Sequence, residues 1–473
     1  MTSRPVAPRA AAPGSGRRLA AAVTPASWRY LTVATLVRIV DGAAAVSLVT
    51  LVVSLHGRVS VAAAGLLTAL LTAPQLLGPL AAEPLARAGD PRRVLALAFA
   101  GFGAGLSGCG LLVAHGELPL AAVAATVAGC AGPLVTGGLS AQSVARRSGG
   151  LAGQRRAEAL DAATYGLGST AGPVVVAGVV AWLFPLAAVV VLGALALAAA
   201  GGALLLPAAE PDSEPGRPRM PLRQVLAAIA GVGPLRRVLA ATTVAALGTG
   251  GLLVVAVVFG ARLGGHTGGG PLLAAAFGLG GLAGSLALTI RPLRTEPERT
   301  TLALLAATGG SVALCALAPD EAAAAVLFAL AGMVAAAQFT ASLAVRSAYA
   351  PPGTRAHVYV TMAGLKMGCA SAGAALAGAL LAIGPRPALL AIAGLITAGA
   401  ALAAAMRHAA RIRPAHSAHS SSPPGQTRLV LPGPDRPANR ATPAAPVGSA
   451  RPLTDESFPA QHDAWMRDGS GSS

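Results

Sequence analysis

Residues 186–206 read LAAVVVLGALALAAAGGALLL, a run without a single charge. A membrane-spanning helix needs about 20 mostly apolar residues, because that length at 1.5 Å per residue crosses the hydrocarbon core. A barrel strand would instead alternate apolar and polar residues over about 10 positions. The run is continuous, so it predicts a spanning helix. Working outward, eleven further runs fit the same length: 30–54, 60–81, 94–114, 118–141, 159–182, 238–260, 271–290, 300–318, 321–343, 357–382 and 387–407. The whole chain of 473 residues is 54% hydrophobic and only 11% charged. A soluble domain is nearer a quarter charged, so a string of soluble domains is excluded. The expected fold class is an all-α polytopic membrane protein with twelve spanning helices.

The net charge of +17 is explained by topology rather than by nucleic acid. With the N-terminus placed in the cytoplasm, seventeen arginines fall in inner loops, among them Arg146, Arg147, Arg155, Arg156 and Arg355. Only Arg58, Arg262 and Arg386 fall in outer loops. Inner loops of membrane proteins carry this excess, and a missed helix would invert the pattern downstream of it. The bias predicts a multi-pass protein of the inner, cytoplasmic membrane with both termini inside. Residues 1–28 lack the short apolar core of a secretory signal and are expected to form a disordered cytoplasmic tail. Residues 409–473, rich in Pro, Ser and Arg, are expected to form a second one. Cys109, Cys130, Cys315 and Cys369 lie far apart in apolar runs, without the spacing of a metal site. No metal or cofactor is expected.

The connection 207–237 divides the spans six and six, giving an N-terminal bundle over 29–206 and a C-terminal bundle over 238–408. Within it Leu222, Val225, Leu226 and Ile229 recur at helical spacing beside Arg219 and Arg223. A short amphipathic helix on the inner membrane surface is predicted. A displacement of 200 residues overlays Arg146 on Arg346, Arg155 on Arg355, Gly168 on Gly368 and Gly178 on Gly378. That order suggests an internal duplication, the architecture of transporters built from repeats about a midplane site.

Two local motifs sharpen the reading. Before the third span runs Gly78-Pro79-Leu80-Ala81-Ala82-Glu83-Pro84-Leu85-Ala86-Arg87-Ala88-Gly89-Asp90-Pro91-Arg92-Arg93. In the fifth span runs Gly168-Ser169-Thr170-Ala171-Gly172-Pro173, followed by Gly178. With twelve spans, a long central loop and inside termini, residues 29–408 resemble the major facilitator superfamily. The resemblance implies two pseudo-symmetric six-helix bundles rocking about a central site. It implies an inner latch of ion pairs at Gly78, Glu83, Gly89, Asp90, Arg92 and Arg93, with the acid out of its usual register. Gly168, Gly172 and Pro173 resemble the family's antiporter motif, which implies proton-coupled export by exchange. Val176-Ala177 stands where that motif has paired glycines.

Charges inside spans are costly and mark function or pairing. Arg38 and Asp41 lie three apart in the first span, on one helix face, and Lys366 lies at depth in the eleventh. Asp41 is a candidate proton carrier or a contact for a cationic substrate group; the alternative is a structural pair with Arg38. Lys366 is a candidate anion contact, a partner for Asp41, or a residue snorkelling to the inner surface. Gln75 and Gln338 are polar enough to line a cavity. Asp161, with Glu158, is expected in an interfacial charge cluster near Arg155 and Arg156.

Enzymatic readings find no support: Gly278-Leu279-Gly280-Gly281-Leu282-Ala283-Gly284 has the wrong spacing for a dinucleotide loop and lies inside a span. It reads as a small-residue packing surface. The expected function is efflux of a small, partly apolar molecule by a monomeric secondary transporter in the lipid bilayer. A proton gradient would drive it, without nucleic acid and without enzymatic chemistry. The alternatives are metabolite uptake through the same fold and a non-transporting receptor or assembly protein.

Overall fold

A computed structural model describes residues 25–55, 57–77, 90–140, 150–207, 222–290, 295–351 and 355–412. Among these residues there are thirteen α-helices and no strand. They are α1 (Pro25–Ser54), α2 (Val61–Thr72), α3 (Pro91–His115), α4 (Leu118–Pro133), α5 (Gly150–Trp182) and α6 (Pro185–Leu204). After α7 (Leu222–Gly231) come α8 (Gly233–Gly264), α9 (Gly269–Ile290), α10 (Pro297–Cys315), α11 (Glu321–Tyr349), α12 (Arg355–Leu380) and α13 (Pro385–Ile412). Ten of them are long and apolar enough to cross a membrane. The spans expected at 60–81 and 300–318 are α2, shorter at Val61–Leu77 with its 3-10 turn, and α10, whose first turn carries Glu298 and Arg299. With α7 set aside, the twelve expected spans are the twelve remaining helices.

Local chemistry sets the helix ends. Asp90 and Asp320 cap α3 and α11, each carboxylate accepting from a backbone N–H of the first turn. Gly116 ends α3 at φ +85°, a left-handed geometry that a side chain resists, and the chain reverses into α4 within two residues. Pro133 has no N–H to continue the α ladder, so α4 passes into a π turn over Leu134–Gly138. The span expected as one continuous helix over 118–141 is therefore interrupted near its end.

The helices pack by one scheme used twice. In the first half α1 lies against α5 and α6, α3 against α4 and α6, and α2 against α4. In the second half α8 lies against α12 and α13, α10 against α11 and α13, and α9 against α11. The halves meet where α2 crosses α12 and α5 crosses α9. At the first crossing Gly65 faces Gly378, and Ser371 Oγ donates to the Ala69 carbonyl at 2.7 Å. At the second, Thr170 Oγ1 donates to the Gly278 carbonyl at 3.0 Å.

Glycine forms these seams. A Cβ on Gly42 would sit 2.6 Å from the Gly168 carbonyl oxygen, and one on Gly172 would sit 2.7 Å from the Ala43 nitrogen. Along α9, Gly280 abuts Ala329 and Gly284 abuts Met333, both on α11, while Gly278 meets α5. The stretch 278–284 is thus the small-residue surface its composition suggested, with two partners rather than one. Outward-facing residues are large and apolar, as lipid requires: Leu97, Leu286 and Val326 are exposed. Trp28 and Trp182 stand exposed near opposite helix ends, suited to the two interfaces.

Helix α7 is the short amphipathic helix, and its docking face is narrower than the sequence suggests. Val225 and Ile229 are buried against Leu235, Val238, Val345, Val358 and Met362 of α8, α11 and α12. Leu226 is instead exposed, because a helix this short presents only one turn-spaced stripe to the bundle.

Seam glycines and open-space glycines are predicted to respond oppositely to substitution. Gly250 lies against the backbone of Ala370, so Gly250→Val must part α8 from α12 and is expected to cost roughly 3 kcal/mol. Gly101 meets nothing within 4 Å, and Gly101→Ala is expected to stabilise by up to about 1 kcal/mol through helix propensity. Thermal denaturation of the detergent-purified protein checks both.

Candidate functional site

Helices α1 and α5 run side by side, and the glycine seam between them delivers Arg38 to a set of α5 acceptors. Gly168 lies against the backbone of Arg38. From there the arginine side chain points back toward the N-terminal part of α5. Its Nη2 lies 2.9 Å from Asp161 Oδ1, and its Nη1 donates to the Asp161 carbonyl at 2.9 Å. The guanidinium also donates to Thr164 Oγ1 and, at 2.8 Å, to Ser140 Oγ, just past the π turn that follows α4. The Tyr165 ring stacks 3.6 Å from its Cζ, and the Tyr30 hydroxyl, two turns back along α1, donates to Asp161. Arg38 is 2% exposed and Asp161 9%, so the pair is screened from both water and lipid.

This geometry separates Arg38 from Asp41. The pairing of the two, one of the sequence alternatives, is not formed, because α5 offers Arg38 a carboxylate, a carbonyl and two hydroxyls. Asp41, half-buried at mid-length in α1, has no hydrogen bond or ion pair among the described residues. Asp161 is the buried counter-ion of Arg38. The side chains of Arg155, Arg156 and Glu158 lie outside the described residues.

In the second half α11 and α12 face each other through two cation–aromatic contacts. The Arg346 guanidinium on α11 stands 5.9 Å over the Tyr359 ring on α12, and the Lys366 ammonium on α12 stands 5.5 Å over the Phe339 ring on α11. Phe339 and Arg346 are seven residues apart, as are Tyr359 and Lys366, so the antiparallel helices place the contacts two turns, about 10 Å, apart. The Tyr359 hydroxyl donates to the Leu343 carbonyl at 3.0 Å, tying the helices together between them. Gln338, beside Phe339, is half-buried, with no side-chain hydrogen bond among the described residues. Lys366 forms no pair with Asp41.

The chain matches no protein-family model and no curated protein sequence. Solved structures do match. The chain is similar to a bacterial homologue of the human lysosomal transporter Spinster, in an inward-facing and unoccupied conformation, at 15% identity and a TM-score of 0.62. That alignment covers 81% of this chain and 98% of the other. It is similar to the nucleoside transporter NupG at 14% identity and a TM-score of 0.64, over 81% and 99% of the two chains. A POT family transporter in complex with a thioalcohol-conjugated peptide aligns at 10% identity, with a TM-score of 0.63 over 81% and 96% of the two chains. The chain has the major facilitator fold.

Within a major facilitator fold the remaining sequence candidates fall as follows. Asp90 accepts from Arg92 Nε at 2.9 Å and from Nη2 at 3.1 Å, while Arg92 Nη1 donates to the Leu206 carbonyl at 3.2 Å. The Arg92 hydrogen bonds hold the Asp90 carboxyl below the usual range. Arg93 lies 3.6 Å from Asp90 and is largely exposed. These contacts join α3 to the end of α6, inside one half. Gly78, Glu83 and Gly89 lie outside the described residues. Gln75 packs on Gly132 of α4, its Cγ 2.9 Å from where a Cβ would stand. Pro173 leaves the Ser169 carbonyl without its in-helix donor, and that oxygen lies 2.9 Å from the position of a Cβ on Gly278, at the crossing of the halves.

Sequence reasoning missed one buried pair. Arg237 of α8 grips both carboxylate oxygens of Glu298 of α10 along one guanidinium edge, Nε at 2.6 Å and Nη2 at 2.8 Å. Nearby, Glu296 takes Arg299 at 2.7 Å and Arg407 at 3.1 Å, closing α10 onto the end of α13. Arg237 counts toward the positive-inside bias like its neighbours. The usable signal was Glu298, an acid in the first turn of an otherwise apolar run.

Removing the Arg38 counter-ion is predicted to be costly. Asp161→Ala leaves a buried guanidinium short of its carboxylate, at about 4 kcal/mol. Arg38→Met together with Asp161→Leu is expected to recover at least half of that loss. A double-mutant cycle by thermal denaturation measures it; additive single effects would show that the pair is not coupled.

Proposed function

We propose that the chain is a secondary transporter that exports a small, partly apolar molecule in exchange for protons, its two halves rocking about a central site. One observation carries the reading. Asp41 stands at mid-length in α1 without a hydrogen-bonded or ion-paired partner among the described residues, while Arg38 one turn away is committed to α5. A carboxylate kept at membrane depth without a structural partner is expensive, and proton uptake and release is the use that compensates its cost. The nearest charged group on its own helix is Arg38, which is ion-paired with Asp161 of α5. Helices α2, α6 and α9, also packed on α1, contain no Asp, Glu, Lys, Arg or His. Those on α3 and α8 sit at the helix ends.

The major facilitator fold supports alternating access, and its halves make their most extensive contacts at two small-residue crossings, α2–α12 and α5–α9. Gly168, Gly172 and Pro173, at the α1–α5 seam and the α5–α9 crossing, support exchange as the mode. The arginine bias supports an inner-membrane location with both ends of the chain in the cytoplasm. The protein works as a monomer, with the lipid bilayer and a small-molecule substrate as its partners and no cofactor besides the proton gradient.

Two measurements test this. In proteoliposomes with an imposed pH gradient, screened against a panel of compounds, Asp41→Asn is expected to cut gradient-driven flux about 100-fold or more while sparing exchange at equal pH. Gradient-driven flux that survives the substitution overturns the role of Asp41. For orientation, single cysteines replacing Arg58 and Arg93 in a cysteine-free background are labelled in intact cells with a membrane-impermeant maleimide. Position 58 is expected to react and position 93 to be protected; the reverse pattern inverts the topology.

A further inference from the structure

We infer that the face shared by α11 and α12 is an anion-recognition site, and that the cargo carries a carboxylate, phosphate or sulfonate on an apolar or aromatic body. The inference rests on the proposed transport function only in naming the ligand as cargo. The site itself is argued from charge.

Residues 233–412 contain four acids, Glu296, Glu298, Asp320 and Glu321. Each is engaged elsewhere. Glu298 holds Arg237, and Glu296 holds Arg299 and Arg407. Asp320 caps α11, and Glu321 meets His266 at 3.3 Å, near the helix ends opposite Arg346. Arg346 and Lys366 are therefore two cations without a carboxylate partner among the described residues. Arg346 is 3% exposed, and its Nε is buried without an acceptor. Arg38 of the first half has a buried Nε without an acceptor too, but its other guanidinium nitrogens meet an acid, a carbonyl and two hydroxyls.

Arg346 sits in the last turn of α11 and Lys366 near the middle of α12; a buried cation without a counter-ion is tolerated where a ligand or an aqueous cavity completes it. The aromatic rings beneath Arg346 and Lys366 lower that cost without neutralising the charge. They also supply flat apolar surface at the same two levels. The geometry thus offers two positive points about 10 Å apart with a ring beside each. A third polar atom stands near the level of Lys366. Gly250 of α8 faces Ala370 of α12, and in that register Thr243 lies about one turn from the level of Lys366. Its hydroxyl is buried without a partner. Unlike an acid, this hydroxyl can both donate to an anion and leave it charged.

Lys366 is the only lysine in the chain, which makes it a chemical reporter of its own site. The full-length protein in detergent is treated with 4-formylbenzoate, an anionic aromatic aldehyde, and separately with its neutral methyl ester. Cyanoborohydride traps the imine, and peptide mass mapping counts label at position 366. The anion is expected to label Lys366 about tenfold faster than the ester, the ratio that one charge-assisted hydrogen bond supplies. Excess benzoate is expected to slow labelling by the anion and not by the ester. Arg346→Gln should remove the preference and Arg346→Lys should retain it, which separates lost charge from lost fold. Equal rates for the two aldehydes in the unsubstituted protein, or a preference indifferent to Arg346→Gln, overturns the proposal. Labelling needs no gradient and no flux. A protein that shows the preference yet moves no compound would therefore retire the transport reading and keep the anion site.

Discussion

Helices surrounded by lipid gain nothing by hiding apolar surface from one another, because the lipid is as apolar as they are. What draws them together is close contact and polar pairing. The seam of Gly42, Gly168 and Gly172 meets that requirement for α1 and α5, letting backbone approach backbone. Its consequence reaches beyond packing. Only because the helices are this close does the Arg38 stem run along α5 to Asp161. Bulk on the seam would strand a guanidinium in the bundle. The same small residues that assemble the half therefore decide which of its charges are spent on structure and which remain for work.

Most of the fold was legible because hydropathy alone carries it. Twelve runs of membrane length, and an arginine excess that holds its sign only for an even number of spans, leave few other arrangements. The helix ends were less legible. Residues 233–237 look polar, yet α8 begins there, since Arg237 has Glu298 to bind. The first turn of α10 is polar for the reciprocal reason. A pair 61 positions apart leaves no periodic trace in either segment, so each half of it resembles loop.

The charged residues at depth were legible as exceptions but not as pairs. Arg38 and Asp41, three apart on one face, make the obvious couple from sequence. The actual partner is 123 positions away, and only the parallel alignment of α1 and α5 brings it near. The ladder of Arg346, Tyr359, Phe339 and Lys366 has the same character. Each helix contributes one cation and one ring at a seven-residue interval, which is visible in the sequence once the antiparallel pairing is known and meaningless before it.

The two halves share a packing scheme yet divide their charge unequally, and that inequality is what a cargo would sense. The first half balances its buried arginine internally and leaves Asp41, at mid-length in α1, without an ion-pair partner among the described residues. The second half sends all its acids to helix ends and interhelical clasps and leaves over two cations. A duplicated scaffold with balanced halves would present the same potential to a ligand from both sides. On the proposed reading, a ligand between them would meet an acid on one side and two bases on the other. If an anion docks on the second half, a proton on Asp41 would remove a charge that repels it. Cargo charge and proton occupancy would then be coupled through electrostatics alone, without contact between Asp41 and the anion.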